Sequence, residues 1–303
     1  MGSIISVNSL EQNVGVSSVV LTLSEKINFL TRKSVCIVEA DYKNPSLSYL
    51  FEGELIRRKC IDNLVPCIKD TEIIDNEFEE VLNINTIKFK NTNIEMLYGN
   101  KRDSKISDTQ FKSLIYSLSQ KYDIVVIDFG DSVIPTPIKD MSDINIFVVQ
   151  PNNRYLNKLR KNKIDYLYRK TKVIINNSTA GSKHIIYELK DIIGPIQVIA
   201  KLPVSSSLVN NLSRAVINID SGNYSVEITK LALYIINFFN FSIDSKNNLV
   251  KKFLNKFDYR DKEIYVEGNL EYKLAELLIE ENLCTEEDIN RCIDKLRELK
   301  KRR

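Results

Sequence analysis

The chain has 303 residues, 43% of them hydrophobic, with 43 basic against 40 acidic side chains and a formal net charge of +3. That composition supports a globular core and argues against a strong nucleic-acid binder, which carries a basic face and a higher pI. Five cysteines (Cys36, Cys60, Cys67, Cys284 and Cys292) match no zinc spacing and, being odd in number, no disulfide framework. The expectation is a reduced, intracellular protein with Cys36 buried as a small hydrophobe. No stretch approaches the roughly 20 apolar residues of a membrane span, and no signal peptide is evident at the N-terminus.

The first apolar run, Ile4–Val7, reads as a strand. It is followed by "SLEQNVGVSSV" (residues 9–19) and by a helical pattern over Ser17–Leu30 that places Val20, Leu23, Ile27 and Leu30 on one side. Strand, tight loop and helix form the layout that cradles a phosphate, because a helix N-terminus offers unpaired N–H groups to an anion. Here the loop holds one glycine, Gly15, and no lysine.

Further apolar runs follow at 34–41, 94–99, 122–130, 144–150, 172–177 and 196–203. Several show no alternation, the pattern of strands covered on both faces in a parallel sheet. Helical patterns lie between them: Gln110–Gln120, with Phe111, Leu114, Ile115 and Leu118 on one side, then Arg154–Tyr168 and Ser182–Asp191. Leu231–Phe241 reads as a buried helix. The alternation predicts an α/β fold, a doubly wound and mainly parallel sheet with helices on both faces. Ligands bind such sheets at the carboxyl ends of the strands. Residues Gln12–Ser18, Asp41 and Asp128–Asp131 each trail an apolar run and fall on that edge.

Beyond residue 240 the composition changes. The expected organisation is a phosphate-loop domain over 1–240, a polar connector over 241–268 and a small helical module over 269–303. In the module, Thr285–Asp288 has the form of a capping box, and Ile289, Cys292, Ile293, Leu296 and Leu299 recur at helical spacing. The single histidine, His184, lies on a polar helix and reads as a surface residue.

These pieces, in this order, resemble the MinD/ParA superfamily of deviant Walker ATPases over most of residues 1–240. "SLEQNVGVSSVVLTLS" stands where that family has its "KGGVGKTT" loop and helix. "VCIVEADYKNPSLSYLF" is similar to the next strand and first switch, with Asp41 on the switch aspartate. "YDIVVIDFGDS" resembles the Walker B strand, with Asp128 on its aspartate. "VIINN" resembles the strand that ends in base-contacting residues and "IAKLPVSSSLVNN" the segment that carries the family's "P-x-D" turn, which implies cofactor-binding roles for Asn176 and Pro203.

The resemblance implies ATP or ADP with magnesium as cofactor. It places Gln12, Asn13, Val14, Gly15, Val16, Ser17 and Ser18 around the phosphates, and Ser17, Asp41 and Asp128 on the metal. Each aspartate read alone is equally a turn or cap residue at a strand end. The loop departs from the family at Glu11, in place of a lysine that reaches the partner's nucleotide, at Gln12 and Asn13, in place of glycines, and at Val16, in place of the phosphate lysine. Losing that charge removes a contact of about 1.5–3 kcal/mol and more in the transition state. The sequence therefore leaves open that no nucleotide binds, and hydrolysis is expected to be weak or absent.

The functional expectation is a degenerate, ATPase-like scaffold. It would form a homodimer and recruit a pilus, secretion or conjugation machine from the cytoplasm, at the inner face of the membrane or the cell pole. The TadZ/CpaE branch is similar in tolerating atypical loops, and "LAELLIEENLCTEEDINRCIDKL" resembles a helical module of secretion and pilus ATPases. Nothing in these 303 residues reads as the receiver-like N-terminal domain common in that branch. The alternative is an active partitioning or positioning ATPase acting on DNA or membrane. DNA contact would use the eight Lys and Arg residues within 153–172, and peripheral membrane contact the C-terminal amphipathic helix.

Overall fold

Val, Ile and Leu fill the predicted strands almost without interruption, and in the computed structural model these runs form the centre of a sheet. The structure describes residues 1–42, 44–47, 60–68, 76–99, 106–161, 170–193, 197–206, 208 and 222–244. Helix α1 (Val16–Thr31) follows strand β1 (Ser3–Asn8) and leads to β2 (Val35–Glu39). A 3₁₀ turn (Ile61–Cys67) and α2 (Asn76–Asn85) precede β3 (Ile87–Lys88) and β4 (Ile94–Leu97). Next come α3 (Asp108–Lys121), β5 (Ile124–Asp128), α4 (Thr136–Met141) and β6 (Ile144–Val149). The last described elements are α5 (Asn153–Lys161), β7 (Thr171–Ser178), α6 (Lys183–Ile193), β8 (Val198–Pro203) and α7 (Gly222–Phe238).

The strands form one eight-stranded sheet in the order β3-β4-β2-β5-β1-β6-β7-β8. All pairings are parallel except β3 with β4. The expected doubly wound, mainly parallel sheet is thus observed. The two-residue antiparallel edge strand β3 has no counterpart in the sequence reading. "IKFK" is too short to show a period, and its pairing comes only from the turn that folds it onto β4.

Register explains why the strands are apolar throughout. Ile4, Cys36, Val38, Val125 and Ile127 share one face and pack under Phe111, Leu114, Ile115 and Leu118 of α3. The alternate residues Ile5, Ile37 and Val126 therefore lie on the other face, where α1 packs against the sheet and α7. Both sets are fully buried, and Cys36 is inert there because burial pushes its thiol pKa up. Each fully buried side chain of this kind contributes about 1.5–3 kcal/mol.

Helix ends follow local chemistry. Ser107 and Gln110 form a reciprocal capping box that starts α3 two residues ahead of the predicted Gln110. α7 begins at Gly222, well before the expected Leu231, since "GNYSVEITK" contributes buried Tyr224 and Ile228 to the same face. The chain then returns to α1, where the Asp244 N–H donates to the Leu30 carbonyl at 2.8 Å.

One compact unit spans Met1–Ser245. The rest of the connector, the C-terminal module with its Thr285 capping box, Cys284, Cys292 and residues 162–168 of the expected Arg154–Tyr168 helix lie outside the described residues. Among the described residues, no helix is long and apolar enough to cross a membrane.

Candidate functional site

Parallel register aligns the strand ends. Asp128 pairs with Val7 of β1 and with Glu39 of β2, so the residues that follow all three strands share one edge. Backbone bonds lock that edge. Ala40 N donates to Asp128 O at 2.7 Å, Phe129 N to Val7 O at 2.9 Å and Ser9 N to Gly130 O at 2.8 Å. β1 is the point where the winding reverses, with β5 and β2 on one side and β6 on the other. The switch point of an open α/β sheet is where its ligand crevice forms.

The loop after β1 enters α1 through two left-handed residues, Asn13 (φ 60°) and Gly15 (φ 91°, ψ 27°). Asparagine tolerates this region and glycine is at home in it. Gly15 is also a close approach, since a Cβ there would lie 2.3 Å from Asn176 Nδ2. No side chain caps α1 and its first turn carries no acid, so the leading N–H groups keep their capacity for an anion. Val14 and Val16 are buried, whereas Gln12 and Asn13 are exposed. Val16 thus serves the core.

Ser17, Asp41 and Asp128 are brought together. The Ser17 and Ser46 hydroxyls hydrogen-bond, tying α1 to the segment after β2. Asp41 Oδ1 accepts the Asn44 N–H at 3.1 Å. Asp128 Oδ1 accepts the Gly130 N–H at 2.9 Å, while Oδ2 is buried without a hydrogen-bond partner among the described residues. Burial pushes the Asp128 carboxyl up to about 6; the neighbouring Ser17 hydroxyl and the Gly130 N–H ease it, and the Asp41 charge adds to it.

The other expected residues take different places. Asn176 is buried on β7, and its Nδ2 donates to the Val14 carbonyl at 2.8 Å, so it holds the loop. Pro203 ends β8, in register with Ser178 and three strands from β1. Ser18 O accepts the Thr22 hydroxyl at 2.7 Å. His184 is exposed and lies 3.3 Å from Glu188.

Several contributors had little signal in the sequence. Glu39, fully buried, accepts Leu47 N at 2.6 Å and Gly99 N at 3.3 Å, fixing the segment behind Asp41. Tyr155 of α5 is fully buried, and its hydroxyl meets Ser9 Oγ at 3.0 Å, Leu10 N at 3.3 Å and Val148 O at 3.0 Å. Replacing Tyr155 by phenylalanine leaves these buried groups unsatisfied. A loss of about 1–2 kcal/mol in urea unfolding is expected, together with faster amide exchange over residues 9–11. Unchanged stability and exchange would show that the hydroxyl is not what seats the loop.

The donor set fits a magnesium ion, with one hydroxyl and two carboxylates, one of them holding the buried, orphaned Asp128 Oδ2 that a cation would satisfy. Ser17, Asp41 and Asp128 would hold it. The phosphate side is served by the α1 N-terminus and by no cation within residues 9–18. Among the described residues, no three His, Cys, Asp or Glu side chains converge on one point. A metal here would complete its shell with hydroxyl, water or phosphate oxygens.

Comparison with known proteins gives the class of fold. A ParA family ATPase from Chlorobium tepidum matches with a TM-score of 0.62 at 14% identity, over 77% of this chain and 99% of that one. MinD from Aquifex aeolicus matches with a TM-score of 0.59 at 16% identity, over 78% and 98%. A putative plasmid partition protein from Borrelia burgdorferi, bound to AMPPNP, matches with a TM-score of 0.57 at 18% identity, over 79% and 99%. The chain has the fold of the ParA and MinD ATPases. No family model matches it, and no curated protein does so significantly.

Proposed function

We propose that the protein is a nucleotide-responsive scaffold of the ParA/MinD type, which binds a magnesium nucleotide weakly, hydrolyses it slowly or not at all, and acts by dimerising and recruiting a protein machine. One observation carries the reading. Ser17, Asp41 and the half-unsatisfied Asp128 are assembled at the α1 N-terminus, while the position of the phosphate lysine is a buried valine. The metal side has been kept and the charge that drives phosphoryl transfer has not.

Solved proteins of this fold lend support. The Borrelia protein holds AMPPNP, a MinD from Pyrococcus horikoshii holds Mg-ADP, and the Aquifex MinD is known in complex with MinC. In this chain the nucleotide would sit on residues 12–18, with Asn176 and Pro203 toward the base. A homodimer would present the same edge. The recruited machine is a pilus, secretion or conjugation apparatus, as in the TadZ/CpaE branch, at the inner membrane face or the pole. The module over 269–303 would provide the protein or membrane contact.

The test is a titration of a fluorescent ATP analogue with the full chain, with and without magnesium, followed by turnover and light-scattering mass. Magnesium-dependent binding in the micromolar range, a mass shift toward a dimer and no multiple turnover are expected. No binding up to millimolar nucleotide would sink the proposal. Rapid turnover would favour an active partitioning ATPase on DNA or membrane instead.

A further inference from the structure

The hydrogen bond between the Ser17 and Ser46 hydroxyls brings to the edge a residue that the set of Ser17, Asp41 and Asp128 leaves out. Ser46 is exposed, yet the backbone on either side of it is held by two carboxylates at the end of β2. Asp41 Oδ1 accepts the Asn44 N–H at 3.1 Å, and Glu39 Oε1 accepts the Leu47 N–H at 2.6 Å. Glu39 and Leu47 are both fully buried. This bracket sets position 46 against Ser17 in the first turn of α1. Ser17 in turn lies beside the Asp128 carboxyl, whose Oδ2 is buried with no hydrogen-bond partner among the described residues. An orphaned buried oxygen calls for a cation or a donor at this point.

A serine hydroxyl has one proton to give and two lone pairs. Between two such hydroxyls either can donate. With a cation on one of its lone pairs, Ser17 is the stronger donor and Ser46 the acceptor. The Ser46 O–H is then available to an oxyanion, in a charge-assisted hydrogen bond. We propose that Ser46 is a further nucleotide-binding residue, which donates to a phosphate oxygen when Ser17 holds a metal ion, and that Glu39 is its positioning residue. The inference rests on the reading of this edge as a magnesium-nucleotide site. It adds a neutral donor on the phosphate side, where residues 9–18 supply no cation.

The test titrates the fluorescent ATP analogue, with and without magnesium, against the full chain and its variants. S46A is expected to weaken magnesium-dependent binding about tenfold, the scale of one hydrogen bond to a charged group. S46T keeps the hydroxyl and should restore most of that loss. Glu39→Gln keeps the shape but turns an amide N–H toward one of the two backbone N–H groups that the carboxylate accepts. It should weaken binding in the wild-type background and add nothing to S46A, because it acts through Ser46. In hydrogen exchange, magnesium nucleotide should slow the amides of Asn44, Ser46 and Leu47 in the wild type and not in S46A. Equal affinity or equal protection in S46A and the wild type, or an S46A defect of the same size without magnesium, overturns the role of Ser46 and leaves the magnesium-nucleotide reading standing. An E39Q loss that adds in full to that of S46A overturns the positioning role. S46A and S46T alter an exposed side chain, so they decide the assignment even where E39Q folds poorly. No binding by the wild type up to millimolar nucleotide overturns both readings.

Discussion

Asp128→Asn is expected to raise the stability of the nucleotide-free protein and to abolish its magnesium-dependent nucleotide binding. Asp128 is 1% exposed; its Oδ1 accepts the Gly130 N–H, the Ser17 hydroxyl lies beside the carboxyl, and Oδ2 is buried with no hydrogen-bond partner among the described residues. Burial carries its pKa from 3.8 to about 6. A raised carboxylate pKa means that the folded state binds the proton more tightly than the unfolded chain. Stability therefore rises as pH falls from above 6 to below 4, by of order 3 kcal/mol for the value given. The neutral amide removes the same penalty at every pH and can still accept from Gly130 through its oxygen.

At pH 7 the variant should melt several degrees above the wild type, at about 2–4 °C per kcal/mol for a unit of this size. At pH 4 the two curves should converge, apart from the titration of other groups that both proteins share. Differential scanning calorimetry at the two pH values gives the answer. A variant less stable at pH 7 would mean that the carboxylate is compensated by groups other than those named. Stability gained by removing a site carboxylate is the usual cost relation between function and fold.

Gly130→Ala should be the most damaging single methyl in the site. Gly130 sits at φ +54°, and a Cβ there would lie 2.0 Å from Asp41 Oδ2 and 3.0 Å from Asp41 Cβ. The backbone cannot give way, because Gly130 N holds Asp128 and Gly130 O holds Ser9 N. The aspartate must leave, taking its bond to Asn44 N with it. Strain and lost contacts together predict about 3 kcal/mol of destabilisation and loss of magnesium-dependent binding. Gly222→Ala is the control: it also has a positive φ, +86°, but nothing lies within 4 Å of its added methyl. It should cost about 1 kcal/mol through the backbone alone. Equal midpoints for the two variants in urea would show that Asp41 does not define the Gly130 environment.

Much of the scaffold was written locally. A strand buried on both faces must be apolar at every position, so the runs at 4–7, 34–41, 122–130 and 144–150 announced themselves. Asp41 and Asp128 were visible as the polar residues at which those runs stop. Gly15 was visible as the one residue able to turn the loop without a Cβ. The resemblance ordered these pieces, and the eight-stranded sheet bears out the fold it implied.

What the sequence by itself determined, then, was the identity of the strands, the α/β class and the edge on which polar residues gather, since each depends on neighbours along the chain. The tertiary structure decided which groups meet across it. Glu11 read as a misplaced negative charge, yet Arg154 and Lys158, more than 140 positions away, hold it. Val16 read as a lost lysine and is a core residue. Asn176, given a base-side role by the resemblance, also clamps the Val14 carbonyl. Gly130 carried no reading of its own and is the space that Asp41 needs. Burial, charge pairing and close approach are pairwise properties of distant residues. No local pattern encodes them, because parallel register brings those residues together only once the sheet is formed.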